Sequence, residues 1–247
     1  MTNANDKVEI RRIASARGVI VFDASLLPQG APDLHDASCW PNATRLSGRG
    51  GRGGACVVEA EFGKGLLRHY RRGGLVGRWI RDRYLYLGES ATRCLREFEV
   101  LVEMRRRGLP VPRPVFAAWQ RRGAFYRADL MTAMIANTQT LAERLSADCR
   151  IDWAGIGTTI ARFHRAGVFH ADLNAHNILI DTDAKVWLID FDRGYLRTPA
   201  KRWQQANLRR LQRSLSKLGG LTIPVWSELE SAYQAAMATH TTATHGP

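Results

Sequence analysis

Residues 170–177 read His-Ala-Asp-Leu-Asn-Ala-His-Asn, and residues 187–192 read Trp-Leu-Ile-Asp-Phe-Asp. Apolar spacing predicts a helix before the first stretch, at 152–166, and two short strands after it, at 178–181 and 185–190. Asp and Asn are common in turns, so an isolated Asp-x-x-x-x-Asn indicates little. The ordered set of a helix, a polar loop, an apolar strand and an apolar-Asp-Phe-Asp stretch is instead typical of phosphoryl-transfer sites.

Each polar residue of this set has a predicted role. Phosphoryl transfer needs a carboxylate that orients the attacking hydroxyl and metal ions that hold the phosphates. Asp172, at the tip of the loop, is predicted to be the base, and His170 is predicted to brace the loop. Asn177 and Asp190 offer hard oxygen ligands of the kind that Mg²⁺ prefers. We therefore expect ATP and Mg²⁺ as cofactors, with Asp172, His170 and Asn177 as catalytic residues and with Asn177 and Asp190 as metal ligands.

A glycine-rich stretch at 47–54 reads SGRGGRGG and lies between predicted strands, which indicates a hairpin turn. Its Gly48, Gly50 and Gly53 fit a turn that covers nucleotide phosphates, because glycine lets backbone N–H groups come close to a ligand. From the glycines alone, a flexible arginine-bearing loop is an equally good interpretation. The position upstream of the catalytic loop favours nucleotide binding.

A helix predicted at 90–107 carries Glu97 on its apolar face. A carboxylate in that position needs a partner, because burying an unpaired charge is costly. Arg68, from a strand predicted at 66–70, is expected to be this partner and to bind nucleotide phosphates together with Glu97. Lys64 is the competing cation, and a buried ion pair without nucleotide contact is the remaining alternative.

The order of the predicted elements sets the fold class. Strands and one helix fill the first half, whereas helices dominate the second half. This order predicts an α+β fold with two lobes, a β-rich nucleotide-binding lobe at 1–135 and a mostly helical catalytic lobe at 136–247. The four cysteines are far apart and show no CxxC spacing, so neither a zinc site nor a disulfide framework is expected.

The net charge of +13 implies an anionic partner, without choosing among nucleic acid, a membrane surface and a phosphorylated substrate. Residues 62–125 contain 15 Lys and Arg against 5 Asp and Glu. Arg71, Arg72 and Arg78 of this region are predicted to dock an anionic acceptor or the inner leaflet, and a solvated basic face is the alternative. The interleaved aromatic side chains favour a membrane interface: Trp79, Tyr84 and Tyr86. No signal peptide and no spanning apolar stretch is visible, so any membrane association is expected to be peripheral.

Seven stretches together resemble the bacterial lipopolysaccharide kinases of the protein-kinase-like superfamily, and among them the kinases of 3-deoxy-D-manno-octulosonic acid (Kdo). They cover roughly residues 45–218 and read RHYRRGGLVGR (68–78), REFEVL (96–101), GLPVPRP (108–114), FYRADLMT (125–132), HADLNAHNIL (170–179), WLIDFDRG (187–194) and WQQANLRRLQRSLSK (203–217). The resemblance implies a protein-kinase-like two-lobed fold and ATP-dependent phosphorylation of a Kdo hydroxyl in Kdo-lipid A. It also implies work at the cytoplasmic face of the inner membrane, with no nucleic-acid partner. Arg68 is a departure, because the superfamily usually has Lys there.

Two other functions are compatible with the sequence. One is a related phosphotransferase with a heptose, an aminoglycoside or a protein as acceptor. Only 12 residues separate Asp190 from Trp203, and no Ala-Pro-Glu signature follows, which argues against an activation segment that docks peptides. The other is a non-catalytic basic module that binds RNA or a membrane. The presence of Asp172, Asn177 and Asp190 together argues against this second alternative.

Overall fold

A computed structural model describes residues 8–15, 18–30, 33–40, 42–45, 55–71 and 82–239. The chain divides into two compact units, one formed by Met1–Arg106 with Pro112–Met134 and the other by Arg107–Val111 with Ile135–Pro247. Both units contain strands and helices, which confirms the predicted α+β class. Residues 107–111 belong to the second unit, whereas the sequence interpretation placed them in the first lobe. The roles assigned to the two lobes stay predictions.

The first unit is built on an antiparallel sheet of eight strands. In chain order these are β1 (Ile10–Ala14), β2 (Gly18–Asp23), β3 (Thr44–Arg45), β4 (Ala55–Ala60), β5 (Gly63–His69), β6 (Tyr84–Leu85), β7 (Pro114–Arg122) and β8 (Phe125–Ala133). Their order across the sheet is β1-β2-β7-β8-β5-β4-β3, and β6 pairs with β8. The long hairpin of β7 and β8 lies at the centre, and β5 pairs with β8 on the other side from β7.

Apolar side chains from both edges of this sheet share one core. Ile20, Val58, Leu67, Phe116 and Met131 are all at most 4% exposed within it. Burying one such side chain stabilises the fold by about 1.5–3 kcal/mol. The helix α1 (Arg93–Arg106) packs against β7 and β8 and buries the apolar face that the sequence predicted. This packing fixes the position of the helix relative to β5.

The start of α1 differs from the prediction that Ser90 caps a helix at 90–107. Ser90 lies in a separate 3₁₀ turn, Glu89–Ala91, and Thr92 is extended at φ −71° and ψ 134°. The Thr92 hydroxyl donates to the carbonyl of Glu89 at 2.7 Å, and the Thr92 carbonyl accepts from Arg96 N–H. The helix therefore begins after Thr92. It ends as predicted, because Gly108 adopts φ +68°.

The second unit has four helices and five short strands within the described residues. The helices are α2 (Leu141–Ser146), α3 (Trp153–Arg165), α4 (Lys201–Lys217) and α5 (Ile223–Ala238). The strands are β9 (Thr138–Thr140), β10 (Val168–Phe169), β11 (Ile178–Asp181), β12 (Val186–Leu188) and β13 (Tyr195–Leu196). β11 pairs with β9 and β12, and β10 pairs with β13. No helix in the described part of the chain is long and apolar enough to cross a membrane.

The sequence interpretation ended with α4 and missed α5. Thr222 caps this helix, its hydroxyl accepting from Val225 N–H, and a proline lies in the first turn. α5 packs closely on α3 at Gly157, where an added Cβ would lie 2.2 Å from the carbonyl oxygen of Leu229. Glycine is therefore needed at this crossing. The close packing supports α3, the helix that leads into the catalytic loop.

Candidate active site

The loop at 170–177 begins at a fixed point after α3. Gly167 adopts φ +74°, and an added Cβ would lie 2.3 Å from the carbonyl oxygen of Arg197. Any other residue would be both strained and obstructed there. The chain then forms β10, whose Val168 pairs with Leu196 of β13. The loop therefore starts from a paired strand whose position is set on both sides.

His170 links the two stretches that carry the predicted site. Its side chain is buried, at 2% exposed, and Nδ1 accepts from Asp172 N–H at 3.1 Å. Nε2 lies 2.9 Å from the carbonyl oxygen of Ile189 and donates to it. Burial lowers the pKa of His170, so the ring is neutral at pH 7 with its proton on Nε2. His170 thus holds the backbone beside Asp172 and the backbone beside Asp190.

The backbone of Asp172 is held by amides while its carboxylate reaches solvent. Its carbonyl oxygen accepts from Nδ2 of Asn177 at 2.9 Å and from Nδ2 of Asn174 at 3.1 Å. The Asp172 side chain is 60% exposed. The backbone of Asp172 is therefore fixed while its carboxylate oxygens are accessible, which suits a base that must contact an incoming hydroxyl.

Asp190 follows the hairpin of β11 and β12. Ile178 pairs with Leu188, and Ile189 N–H donates to the carbonyl of Asn177 at 3.1 Å, so Asn177 and Asp190 lie at the same end of this hairpin. Asp190 is exposed and adopts φ +64°, a conformation that is rare for residues other than glycine. Such strain is typical of functional sites.

The next residue, Phe191, anchors this strained turn. It is 1% exposed and packs on the ring of His170, with centroids 4.6 Å apart, and on Phe163 of α3. The residue after Asp190 is therefore locked into the core beside the ring that holds Asp172. The backbone segments of both predicted carboxylates, Asp172 and Asp190, are therefore held by the ring of His170.

Asn177 and Asp190 fit the ligand chemistry of Mg²⁺. The Asn177 amide nitrogen is engaged with Asp172, which leaves the amide oxygen as the atom that would bind a cation. Mg²⁺ is commonly bound by one or two protein oxygens together with waters and substrate phosphates. Within the described ranges, no group of three or more His, Cys, Asp or Glu side chains forms a metal site of another kind.

Helix α4 clamps the catalytic loop, and the sequence interpretation missed this. Asn207 is 2% exposed, and its Nδ2 donates to the His170 carbonyl at 2.9 Å while its Oδ1 accepts from His170 N–H at 3.3 Å. The Ser214 hydroxyl accepts from Ala175 N–H at 3.1 Å. Polar residues within the leucine stripe of α4 were the available signal, because a buried amide needs partners.

Arg210 is a third α4 residue that the interpretation missed. It is exposed, and its Nη1 lies 3.3 Å from Oδ1 of Asp172. The spacing of Asn207, Arg210 and Ser214 is i, i+3 and i+7, which places all three on one face of α4. That face is the one turned toward the catalytic loop.

His164, on the buried side of α3, is a hydrogen-bonded core residue. Its Nδ1 lies 2.9 Å from the Tyr233 hydroxyl, and its Nε2 lies 3.4 Å from Oδ1 of Asn207. Burial lowers the pKa of His164 to about 4. His164 therefore stays neutral and links α5 and α4 beneath the catalytic loop.

In the first unit, the predicted pair of Arg68 and Glu97 is present. Nη2 of Arg68 lies 2.5 Å from both carboxylate oxygens of Glu97, which is 3% exposed. The Tyr70 hydroxyl also donates to Glu97, and burial and this carboxylate raise the pKa of Tyr70. Lys64 instead lies near Glu59, at 3.7 Å, with an exposed side chain. Arg68 is thus the cation next to Glu97, and its role in nucleotide binding stays a prediction.

The remaining predicted residues of the first unit are only partly described. Gly48, Gly50 and Gly53 lie outside the described residues, but the strands on either side of them, β3 and β4, pair with Thr44 opposite Val57. Arg72 and Arg78 also lie outside the described residues, and so does Trp79. The roles assigned to these glycines and arginines stay predictions.

Arg71 is exposed, as expected of a residue that docks an anion. The interpretation of Tyr84 as part of a membrane interface was wrong. Tyr84 is 7% exposed, because it pairs in β6 with Tyr126 and its ring stacks against the guanidinium of Arg93. Tyr86 is half-buried and packs on Trp119. Tyr84 is therefore packed within the first unit and offers no exposed ring to the predicted interface.

Comparison with known proteins gives the family. Residues 38–233 match the profile of the "Lipopolysaccharide kinase (Kdo/WaaP) family". The 3-deoxy-D-manno-octulosonic acid kinase of Xanthomonas axonopodis pv. citri (strain 306) is 50% identical over 204 residues, which are 82% of each chain. The enzyme of that name from Stenotrophomonas maltophilia (strain R551-3) is 46% identical over 219 residues, 88% of each chain.

Among solved structures, that of the bifunctional kinase-methyltransferase WbdD aligns with 80% of this chain and 46% of its own length. The alignment has a TM-score of 0.48 and 16% identity. The family profile matches parts of both compact units, and membership in a kinase family implies the use of ATP. The chain is a phosphotransferase, and it belongs to the lipopolysaccharide kinase (Kdo/WaaP) family.

Proposed function

We propose that this chain transfers the terminal phosphoryl group of ATP to a hydroxyl of Kdo in Kdo-lipid A. The relatives that carry the name of Kdo kinase support this acceptor, because they match over more than four fifths of the chain. The observation that carries the proposed chemistry is the position of His170. One buried ring holds the peptide N–H of Asp172 and the carbonyl beside Asp190, so the proposed base and metal ligand are positioned together.

In the proposed reaction, Asp172 orients the acceptor hydroxyl and takes its proton. The hydroxyl oxygen forms a bond to the terminal phosphorus of ATP, and the bond from that phosphorus to the bridging oxygen breaks to release ADP. His170 takes no part as a base, because its Nδ1 lone pair is occupied by Asp172 N–H and it is neutral. Its role is to keep Asp172 in position while the proton moves.

Asn177 and Asp190 would bind Mg²⁺, and this ion would neutralise negative charge on the phosphates of ATP. In the first unit, Arg68 is held by Glu97, and its guanidinium would bind phosphate oxygens. Gly48, Gly50 and Gly53 would let backbone N–H groups approach the same phosphates. These assignments agree with the residue types and with the fixed position of Arg68.

We also propose that the chain works at the cytoplasmic face of the inner membrane as a peripheral protein. Leu85 and Leu87 are 51% and 75% exposed, and the exposed Arg71 and Arg83 lie at the two ends of the basic segment that precedes them. Exposed leucines beside cations are a combination that favours binding to anionic lipid. Each cation near an anionic surface adds about 1 kcal/mol.

The acceptor is tested by incubating the purified chain with ATP and Mg²⁺ and four acceptors in parallel. These are Kdo-lipid A, the same lipid A without Kdo, a heptose and a general protein substrate. The proposal predicts that the mass of one phosphoryl group is added to Kdo-lipid A and to none of the others. Transfer to lipid A without Kdo, to heptose or to protein in preference to Kdo-lipid A contradicts the proposed acceptor.

The membrane proposal is tested by sedimentation with vesicles. The wild-type chain should sediment with phosphatidylglycerol vesicles and not with phosphatidylcholine vesicles. The double variant Leu85→Asp/Leu87→Asp should lose most of this binding. The control Ile223→Asp should keep it, because Ile223 is an exposed apolar residue of the second unit, at 88% exposed. Equal binding of both variants would locate the membrane contact elsewhere.

A further inference from the structure

Arg210 has a position that the reaction outlined above does not use. Its Nη1 lies 3.3 Å from Oδ1 of the proposed base, Asp172, and the two side chains are 46% and 60% exposed. An exposed ion pair of this length is weak, because water solvates both charges. A guanidinium has five N–H donors, so a single contact to Asp172 leaves most of them to face solvent. The pair can therefore exchange easily with an incoming anion.

The position of Arg210 is nevertheless rigid at its backbone. Asn207, one turn earlier on α4, makes two hydrogen bonds to the backbone of His170, and Ser214, one turn later, accepts from the backbone of the catalytic loop. The distance between the backbone of Arg210 and the backbone of Asp172 is thus set by contacts on both sides of Arg210. Because the arginine side chain is long, its guanidinium can move by a few ångströms while the backbone stays fixed.

The surroundings of Arg210 are cationic. Helix α4 contains six Lys and Arg side chains and no Asp or Glu. The net positive charge of this helix attracts an anionic acceptor toward Asp172. An acceptor that carries a carboxylate matches the planar, two-pronged geometry of the guanidinium, which binds carboxylates through two parallel hydrogen bonds.

We propose that Arg210 binds the carboxylate of the acceptor sugar and so selects a sugar acid over a neutral sugar. This inference rests on the proposed function, because the octulosonic acid of that proposal is a carboxylic acid. In the free chain, Arg210 forms an ion pair with Asp172. When the acceptor binds, its carboxylate pairs with the guanidinium in place of Asp172, and the Asp172 carboxylate can then accept a hydrogen bond from the acceptor hydroxyl. Arg210 is therefore a specificity residue that contacts substrate, and Asp172 remains the base.

The test compares two acceptors and four proteins. The acceptors are Kdo-lipid A and its synthetic counterpart in which the Kdo carboxyl is a neutral carboxamide. The proteins are wild type, Arg210→Ala, Arg210→Lys and the control Arg209→Ala, an exposed neighbour on the same helix. Steady-state kcat and KM are measured for each acceptor and for ATP, and circular dichroism shows that each variant is folded.

The expected result is a loss of discrimination. Wild type and Arg209→Ala should prefer the carboxylate acceptor by about 10- to 100-fold in kcat/KM, the range of a charge-assisted hydrogen-bonded pair. Arg210→Ala should lose that preference through a higher acceptor KM, while its kcat/KM for the carboxamide and its KM for ATP change by less than about twofold. Arg210→Lys should retain part of the preference, because it keeps the charge and loses the planar fork.

Three results would overturn the inference. Equal rates of wild type with both acceptors would show that the carboxylate is not recognised. Equal loss for both acceptors in Arg210→Ala would show that Arg210 acts only through Asp172. If wild type does not phosphorylate Kdo-lipid A but does phosphorylate another acceptor, the proposed function itself is overturned. This outcome is distinguishable from the other two because it is seen with the wild-type chain alone.

Discussion

Replacing Arg68 with methionine removes the cation beside Glu97 and keeps an unbranched side chain that can fill the space. In the wild-type chain, Nη2 of Arg68 lies 2.5 Å from each carboxylate oxygen of Glu97, whose side chain is 2% exposed. The variant keeps the hydrogen bond from Tyr70 to Glu97 but leaves the buried carboxylate without this cation. We expect the first unit to lose stability because a buried charge has lost its counter-charge.

The size of the effect follows from burial. Removing one partner of a buried ion pair costs about 3–5 kcal/mol. The Arg68 side chain is 28% exposed, so we expect the lower end, about 3 kcal/mol, for Arg68→Met. Glu97→Gln keeps the shape and an acceptor oxygen, and it should cost about 1–2 kcal/mol. The double variant Arg68→Met/Glu97→Gln should be more stable than Arg68→Met, because it no longer buries a carboxylate that has lost this cation; the coupling should therefore exceed the cost of Glu97→Gln alone, at about 2–3 kcal/mol.

The free energy of unfolding is measured by urea titration at pH 7.5 without nucleotide, followed by circular dichroism. Arg12→Met is the matched control, since Arg12 pairs with Glu89 at 3.0 Å on the surface of the same unit and should contribute less than about 1 kcal/mol. The reasoning is refuted if Arg68→Met is no more destabilising than Arg12→Met. It is refuted equally if the double variant is less stable than Arg68→Met.

Three further variants test the second unit. Asn207→Ala should lower the free energy of unfolding by about 3 kcal/mol and reduce kcat, because it leaves two backbone groups of the catalytic loop without their amide partner; Gln205→Ala, exposed on the same helix, should change neither. The pKa of His164 is lowered to about 4, below the ordinary value near 6.5, so the unfolded chain binds the proton first as pH falls. The stability contributed above pH 6.5 should therefore be lost between about pH 6.5 and pH 4, by about 3 kcal/mol in total, and His164→Gln should remove this slope in urea titrations at several pH values. Asp190→Asn should raise the Mg²⁺ concentration needed for half-maximal transfer by about 10- to 100-fold, whereas Asp183→Asn, in the turn at the far end of the same hairpin, should leave it unchanged. Unchanged Mg²⁺ dependence in Asp190→Asn would remove Asp190 from the metal site.

The sequence was sufficient where function depends on local spacing. Asp172 and Asn177 lie in one loop, and Asp190 ends a hairpin whose two strands are visible as apolar runs. Chain geometry alone therefore brings the three together, and in the structure His170 holds the backbone beside both carboxylates. Glu97 was also accessible, because helical periodicity places it on the apolar face and burial of a carboxylate demands a partner.

The sequence was insufficient where a contact joins distant segments. Asn207 and Arg210 reach residues that lie 37 and 38 positions earlier in the chain. Polar residues within the apolar face of α4 indicate that partners are needed, but the local pattern does not show which residues those partners are. Tyr84 was misassigned for the same reason. Its basic neighbours suggested an interface, whereas pairing of β6 with β8 buries its ring. Tertiary pairing decides the exposure of such a residue, and local composition does not.

The missed helix α5 shows a different limit. Its capping signal, Thr222 followed by a proline two residues on, was present in the sequence. Its apolar residues are spread around the helix and only Leu229 and Tyr233 are buried, so the helical periodicity is weak. The helix is held by packing against Gly157 of α3 more than by its own pattern. Capping residues would have been the better guide to its start.

The central claim is that Asp172 is the base of a phosphoryl transfer to Kdo. It is tested most directly by measuring the transfer of labelled phosphate from ATP to Kdo-lipid A by wild type, Asp172→Asn and His176→Ala, the last being an exposed neighbour in the same loop. The account predicts label in the lipid with wild type and with His176→Ala, and a loss of about 100-fold or more with Asp172→Asn, while all three bind ATP equally. Transfer by Asp172→Asn at a rate close to that of wild type would contradict the account, because the residue on which the whole site is centred would then have no role in the chemistry.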